Sequence, residues 1–148
     1  MRKPFHVLTA VAAPLPYSDF VRDGAAYRHA QILVSEANPA ADPASDHAAR
    51  VLAGHGIRCV ISSSMPVTFS TSCIRSGILP IKLADPEVRM LLDDAAKPES
   101  ALMTIDLPHG EIVRAGGLVL KFRVQRSVKE RLLQGMMVES RRPGKESR

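Results

Sequence analysis

Short apolar runs and amphipathic segments alternate along the first half of the chain. Apolar runs of this kind, bounded by turn signals, are typical of strands buried on both faces. Asp42-Pro43 and Asp85-Pro86 each combine an N-cap acceptor with a proline at the first helical position, so each predicts the start of a helix. The segment 31–81 is therefore predicted as strand, loop, helix, strand, helix and strand. The strands are Gln31–Val34, Arg58–Ser62 and Leu79–Leu83, and the helices are Pro43–Ala53 and Ser64–Ser76, the second capped by Ser64.

One strand and one helix are predicted on either side of this segment. Phe5–Val11 alternates in polarity and is predicted to end before Pro14 and Pro16, because proline cannot donate to the ladder of a central strand. After Asp85, apolar residues recur at the spacing of one helical face. That face consists of Val88, Leu91, Leu92 and Ala95.

The second half of the chain follows a strand pattern. Strict alternation over Ala101–Leu107 predicts a strand with one buried face and one wet face. Pro108-His109-Gly110 and Gly116-Gly117 are turn signals that lead into two more strands, Glu111–Arg114 and Leu118–Gln125. The whole pattern predicts an α/β fold, a single β/β/α domain in which βα units are followed by a β-meander and a C-terminal helix.

The closing helix and the charged end of the chain complete this picture. Ser127 and Glu130 have the spacing of a capping box, which predicts that the last helix begins at Ser127. We assign residues 1–138 to the domain and residues 139–148 to a basic tail, predicted to be solvated and disordered. The net charge is +5, but the tail carries no aromatic side chain on which bases could stack, so nucleic acid is not an expected partner.

Composition also limits location and metal chemistry. The apolar runs fall far short of the roughly 18 residues that a membrane helix needs, and prolines break the stretch after the basic N-terminus, so we expect a cytoplasmic protein. Cys59 and Cys73 are the two cysteines, and they do not form a Cys-x-x-Cys pair. Two cysteines cannot supply a four-cysteine site, so no metal site is predicted and both thiols are expected to be reduced and buried.

Several sequence blocks occur in an order that resembles one family. The chain is similar to the small subunit of 3-isopropylmalate dehydratase (isopropylmalate isomerase), which corresponds to the swivelling domain of the aconitase superfamily. The similarity extends over residues 5–137, and the closing segment Lys129–Gly135 agrees with it. The blocks that carry it are Ala10–Pro16, Ile32–Val34, Asp46–Ala48, Gly56–Ile61 and Cys73–Ile81.

The resemblance implies a function that needs two subunits. The small subunit would pair with a large subunit, as a heterodimer or heterotetramer, and the large subunit would hold a [4Fe–4S] cluster, with no cofactor in this chain. Together they would interconvert 2- and 3-isopropylmalate, a small dicarboxylate, in leucine biosynthesis. The family loop reads Gly-x-Asn-Phe-Gly-x-Gly-Ser-Ser-Arg-Glu-His-Ala, with serine as the base and arginine as the clamp on a substrate carboxylate. Glycines let the backbone approach an anion, and an arginine fork matches a carboxylate.

This chain departs from the family loop at its functional positions. The two serine positions hold Pro43 and Ala44, and the arginine position holds Ser45. The three glycine positions hold Glu36, Ala40 and Asp42, and Glu36 and Asp42 place negative charge where a dicarboxylate would bind. Of the rest of the pattern, Asn38, His47 and Ala48 match, and Asp46 stands in place of glutamate. The segment that follows the Ala-Pro-Leu-Pro run in the family is missing here.

The candidate catalytic residues are Ser45, Asp46 and His47, and the candidate substrate ligands are Asn38 and Arg75. Each has a plainer alternative. Ser45 is either a displaced base or a polar residue that bonds a free amide in the first helical turn. Asp46 could interact with the helix dipole, His47 could pack on the helix, and Arg75 could be a solvated charge.

Two functions follow from this pattern. The first is a hydro-lyase subunit of the 3-isopropylmalate dehydratase type, whose Ser-Ser-Arg loop is degenerate. The second is a catalytically inactive interaction module that still pairs with the large subunit of a hydro-lyase.

Overall fold

The computed structural model describes residues 7–14, 30–35, 45–97 and 99–134. Within these ranges seven strands and four helices alternate in the predicted order, first βα units and then a meander with a closing helix. The strands are β1 (Val7–Pro14), β2 (Ile32–Ser35), β3 (Cys59–Ser62), β4 (Leu79–Lys82), β5 (Leu102–Asp106), β6 (Glu111–Val113) and β7 (Val119–Lys121). The helices are α1 (Ser45–Gly54), α2 (Val67–Arg75), α3 (Asp85–Ala95) and α4 (Arg126–Gln134).

All seven strands form one sheet in the order β4-β3-β2-β1-β5-β6-β7. Strands β1 to β4 are parallel, and β1, β5, β6 and β7 are antiparallel neighbours. The predicted βα units thus form the parallel half, since parallel neighbours need a crossover, and the predicted meander forms the antiparallel half. The α/β fold class predicted from the sequence is confirmed.

Two apolar clusters lie on the two faces of the parallel half. On one face, α1 and α2 pack against Leu33 of β2 and Val60 of β3. On the other face, α3 packs against β1 and β2, and the strand residues join a core that extends to Phe122 and Leu132. Burial on both faces explains why β2 and β3 read as continuous apolar runs rather than as alternating ones.

One face of the meander is exposed to solvent, as the alternation of apolar and polar residues predicts. Met103 and Ile105 are buried, whereas Leu102 on the opposite face is 53% exposed. Leu118, which the alternation places on the buried side, is instead 61% exposed. It lies in the turn before β7, where its carbonyl accepts the Arg114 N–H at 2.7 Å, so it never reaches the core.

The prediction that β1 ends before Pro14 is wrong. The strand continues through Pro14, which stands opposite Val34 of β2. On its other side, the register with β5 ends at Val11–Leu102, with one further bond from Ala12 N–H to the Ala101 carbonyl. A proline that has a strand on one side only is locally at an edge, so its missing N–H costs no ladder bond.

Three helix starts differ from their predicted positions. Helix α2 begins at Val67 after Pro66, and the Ser64 N–H bonds back to Ser62 Oγ at 3.2 Å, so Ser64 is not its cap. In α3, Asp85 is the first helical residue rather than the N-cap. In α4, Lys129 N–H bonds to the Gln125 carbonyl, which puts Ser127 inside the first turn and rules out the predicted capping box.

A partly buried ion pair ties the meander to α3. Arg114 at the end of β6 donates from Nε to Asp94 Oδ2 at 2.7 Å and from Nη2 to Asp94 Oδ1 at 3.2 Å. This bidentate contact raises the pKa of the Arg114 guanidinium, because the hydrogen bonds and the negative charge of Asp94 favour the charged form. It fixes the last turn of α3 against the antiparallel half. The predicted basic tail, residues 139–148, lies outside the described residues.

Candidate active site

The carboxyl ends of the parallel strands meet at one edge of the sheet. Ser35 of β2, Ser62 of β3 and Lys82 of β4 stand in a single register row there. Ser35 and Ser62 are buried, and Ser62 Oγ donates to the Ser64 carbonyl at 3.0 Å. This bond closes a tight turn directly after β3. In open parallel sheets, ligands bind at this edge, so the candidate site is expected here.

The candidate catalytic residues lie at the same edge. Ser45, Asp46 and His47 occupy the first described turn of α1. Main-chain bonds from Ile57 to Leu52 and from Arg58 to Gln31 bring the far end of α1 to the start of β3, at the opposite edge. A helix of ten residues rises about 14 Å, enough to span the sheet, so its early residues return to the carboxyl edge.

This placement suits an anion site for an electrostatic reason. The amides of a first helical turn lack internal partners and carry partial positive charge. Ser45, Asp46 and His47 are brought together in that turn by the backbone alone. Asn38, Pro43 and Ala44, with the rest of the predicted loop, lie outside the described residues.

Arg75, the other candidate substrate ligand, lies elsewhere. It is in the last turn of α2, which leads through Gly77 to the start of β4. The chain has crossed back to the amino edge there, so the topology puts Arg75 and the first described turn of α1 at opposite edges. Its position favours interaction with the negative end of the helix dipole. A role in binding substrate stays a prediction.

Sequence reasoning missed a group of cationic side chains near the carboxyl end of β4. A cavity of about 530 Å³ opens between the end of β4 and the end of β7. The sequence could have indicated Lys82 as a candidate ligand, because it is a cation at the end of a predicted parallel strand. It gave no such signal for Lys121 and Arg123, since they lie on the solvent-exposed face of the meander. The cavity is lined by Ser63, Lys82, Leu83, Ala84, Asp85, Glu87, Lys121, Phe122 and Arg123.

Both cysteines are free and buried, as predicted from the sequence. Burial raises the pKa of the Cys73 thiol to about 12. Burial also raises the pKa of the Cys59 thiol, and the nearby Cys73 adds to this shift. Neutral, enclosed thiols of this kind are poor metal ligands and poor nucleophiles. Among residues 7–14, 30–35, 45–97 and 99–134, no three His, Cys, Asp or Glu side chains are grouped so that they could hold a metal ion.

We expect both thiols to resist alkylation in the native protein. At about pH 8, iodoacetamide should modify Cys59 and Cys73 only after unfolding in urea, because the attacking species is the thiolate. The raised pKa values also mean that the free energy of unfolding falls as pH rises above about 9, where only the unfolded thiols ionise. Mass spectrometry of native and unfolded samples measures the modification. Rapid labelling of the native chain would contradict the burial.

No helix in the described ranges has the length and apolar character required to cross a membrane. Helices α1 and α2 are instead short, amphipathic elements packed on the sheet.

Comparisons with known proteins place this fold. The family model described as the aconitase C-terminal domain matches residues 8–86, which include β2, β3, β4 and all of β1 except Val7. The 3-isopropylmalate dehydratase small subunit of Rhizobium rhizogenes is 40% identical over 121 residues, which make up 82% of this chain and 60% of that protein. That of Parvibaculum lavamentivorans is 42% identical over 118 residues, 80% of this chain and 59% of that protein.

A solved structure agrees with the fold. The 3-isopropylmalate dehydratase from Methanocaldococcus jannaschii superposes with a TM-score of 0.61 at 16% identity, over 91% of this chain and 98% of that one. In contrast, this chain spans about 60% of the length of the curated relatives it matches. Because the family model covers more than half of the residues, the chain belongs to the aconitase C-terminal domain family, and its identity of about 40% makes it a homologue of 3-isopropylmalate dehydratase small subunits.

Proposed function

We propose that this chain is the small subunit of a hydro-lyase of the 3-isopropylmalate dehydratase type, which interconverts 2- and 3-isopropylmalate in leucine biosynthesis with a large subunit. The observation that carries the proposal is the position of α1. Its first described turn lies at the carboxyl edge of the parallel sheet, within the segment that the family model matches. This is where a small subunit would present groups to a dicarboxylate.

In this proposal the [4Fe–4S] cluster belongs to the large subunit. A cluster is held by about four thiolates, whereas this chain has two cysteines, Cys59 and Cys73, and burial raises the pKa of both thiols. The donor set of the described residues therefore does not fit a cluster. The contribution of this chain is limited to binding and proton transfer by its own side chains.

The first turn of α1 supplies the candidates for that work. A hydroxyl at Ser45 and an imidazole at His47 are the proton-transfer groups nearest the helix N-terminus, and Asp46 adds a carboxylate there. The loop chemistry opposes a dianion, because Glu36 and Asp42 replace glycine positions of the family pattern. Two like charges near a bound dianion cost from several tenths to a few kcal/mol in partly screened surroundings, so we expect a weakened site.

A second function is favoured by the substitution of the three key positions. Pro43, Ala44 and Ser45 stand where the family pattern has two serines and an arginine. Proline and alanine offer no hydroxyl, and serine cannot form the two parallel bonds that a guanidinium makes to a carboxylate. The chain would then be a non-catalytic module that keeps the large-subunit contact without the reaction.

A mixing experiment separates these two functions. The full chain is combined with a cluster-loaded large subunit, and isomerase turnover and co-elution are measured beside a complete small subunit from Rhizobium rhizogenes. We expect a stable complex with turnover above that of the large subunit alone and at least ~100-fold below the complete pair, the range typical for loss of preorganised catalytic contacts.

Each other result has a defined meaning. A complex whose turnover equals that of the large subunit alone would favour the non-catalytic module. Separate elution of the two chains would overturn both functions.

A further inference from the structure

A basic groove lies beside the candidate active site. It consists of the 530 Å³ cavity and an adjacent one of about 280 Å³, and Phe122 and Arg123 line both. We call this combined surface the basic groove. Its lining has more lysine and arginine side chains than carboxylates. The cations are Lys82, Lys121, Arg123 and Lys129, and the carboxylates are Asp85 and Glu87.

The groove exists because the sheet curls. Strands β4 and β7 are at opposite ends of the strand order, yet residues after both line the same cavity. The buried Phe122 forms part of the lining, and its N–H bonds to the Gly110 carbonyl at 2.9 Å. Gly110 has a φ of +65°, and a Cβ there would lie 2.8 Å from the Phe122 carbonyl oxygen, so the close approach needs glycine.

The cations of the groove differ in how they are held. Lys121 Nζ contacts Glu111 Oε2 at 3.0 Å, and Lys129 Nζ donates to the Pro108 carbonyl at 2.8 Å. Lys82 and Arg123 are exposed and form no ion pair within the described part of the chain. Glu87 is turned toward its own helix, where its carboxylate accepts the Ala84 N–H at 3.4 Å. With Glu111 included as the partner of Lys121, the groove brings together four cations and three carboxylates, so its net charge is positive.

Shape favours a protein segment over a small molecule. Small-molecule sites are enclosed and bury most of their ligand, whereas this groove is open and rimmed by exposed cationic side chains. Exposed complementary charges of this kind mainly steer and orient a protein partner.

The position of the basic groove indicates which partner would contact it. Lys82 stands in register with Ser35 and Ser62, two strands from β2, which is about 10 Å at the usual strand spacing. Under the proposed function, a large subunit must approach the carboxyl edge to reach the first turn of α1. A subunit seated over that edge reaches Lys82, on the side of the basic groove that β4 forms.

We propose that the basic groove receives an acidic segment of the large subunit, and this rests on the proposed function. The segment would place carboxylates against Lys82 and Arg123, with Lys121 and Lys129 at its flanks. The contact would orient the large subunit over the carboxyl edge of the parallel sheet.

Charge reversal tests the proposal in the full chain. Lys82→Glu and Arg123→Glu are compared with Lys97→Glu, an exposed lysine just beyond the far end of α3 that undergoes the same change in charge. We expect Arg123→Glu to weaken the affinity for the cluster-loaded large subunit about tenfold and Lys97→Glu less than about twofold, since local charge pairs outweigh net charge. The difference should shrink as NaCl rises from ~0.05 to ~0.5 M.

The alternative results are distinct. Equal weakening by all three variants would reduce the effect to net charge and overturn the groove. Unchanged affinity of the groove variants would overturn the proposed docking at the groove and leave the proposed function intact. The same conclusion holds if inorganic phosphate stabilises the wild-type chain but not Arg123→Glu. No binding by the wild-type chain would overturn both. Circular dichroism checks that each variant is folded.

Discussion

Replacing Phe69 with alanine is expected to lower the free energy of unfolding by about 3–5 kcal/mol, the usual cost of removing a fully buried phenyl ring. Phe69 is 0% exposed and lies in α2. It belongs to the cluster that packs both α1 and α2 on the sheet, together with Leu33, Ala49, Leu52 and Val60 among others. The ring therefore also holds α1, so its removal should loosen the helix that carries Ser45, Asp46 and His47.

Val67→Ala is the matched control for Phe69→Ala. Val67 lies two residues away in the same helix and is 80% exposed, so its truncation should change the unfolding free energy by less than about 0.5 kcal/mol. Urea unfolding followed by circular dichroism measures both variants. If the two midpoints shift equally, Phe69 does not anchor the cluster and the packing described for α1 and α2 is wrong.

Restoring the family loop should raise turnover in the mixed complex about 100-fold or more over the wild-type chain. The glycines would let the backbone approach the substrate, the serines would return a hydroxyl held by amides, and the arginine would clamp a carboxylate. Removing two carboxylates also removes repulsion toward the dianion. The six changes are Glu36→Gly, Ala40→Gly, Asp42→Gly, Pro43→Ser, Ala44→Ser and Ser45→Arg.

A partial variant separates backbone and side-chain effects. The three glycine changes alone return close backbone approach but neither the hydroxyls nor the guanidinium, so we expect them to raise turnover less than about tenfold. Steady-state isomerase rates with the same large subunit measure the series. A fully restored loop that binds the large subunit and gives no increase would locate the defect outside the loop.

Local patterns predicted the order of the strands and helices in the described part of the chain, although the last strand, predicted as Leu118–Gln125, is only Val119–Lys121. The apolar runs of β2 and β3 are buried on both faces, and Val88, Leu91 and Ala95 form the buried face of α3. These predictions held because burial on a regular element imposes its own period on the sequence. The alternation of β5 likewise predicted its buried and wet faces. The starts of the helices were less predictable. Ser64 and Ser127 have good capping chemistry, yet α2 begins at Val67 and α4 begins at Arg126.

The candidate site divides in the same way. The sequence alone indicated a helix after β2, and the resemblance to a family named Ser45, Asp46 and His47 and supplied the expected chemistry of the loop. Only the tertiary structure placed Arg75 at the opposite edge, since the direction of a helix across a sheet is a property of the topology.

The basic groove and the position of Pro14 were decided by the tertiary structure. Lys82 and Arg123 are far apart in sequence, and the curl of the sheet brings them to one cavity. Pro14 is tolerated because β5 no longer pairs beside it. A sequence pattern determines which residues are buried on each element, but the neighbours of an element are set by strand order and curvature. Those depend on how the whole chain buries its apolar surface, so no local pattern contains them.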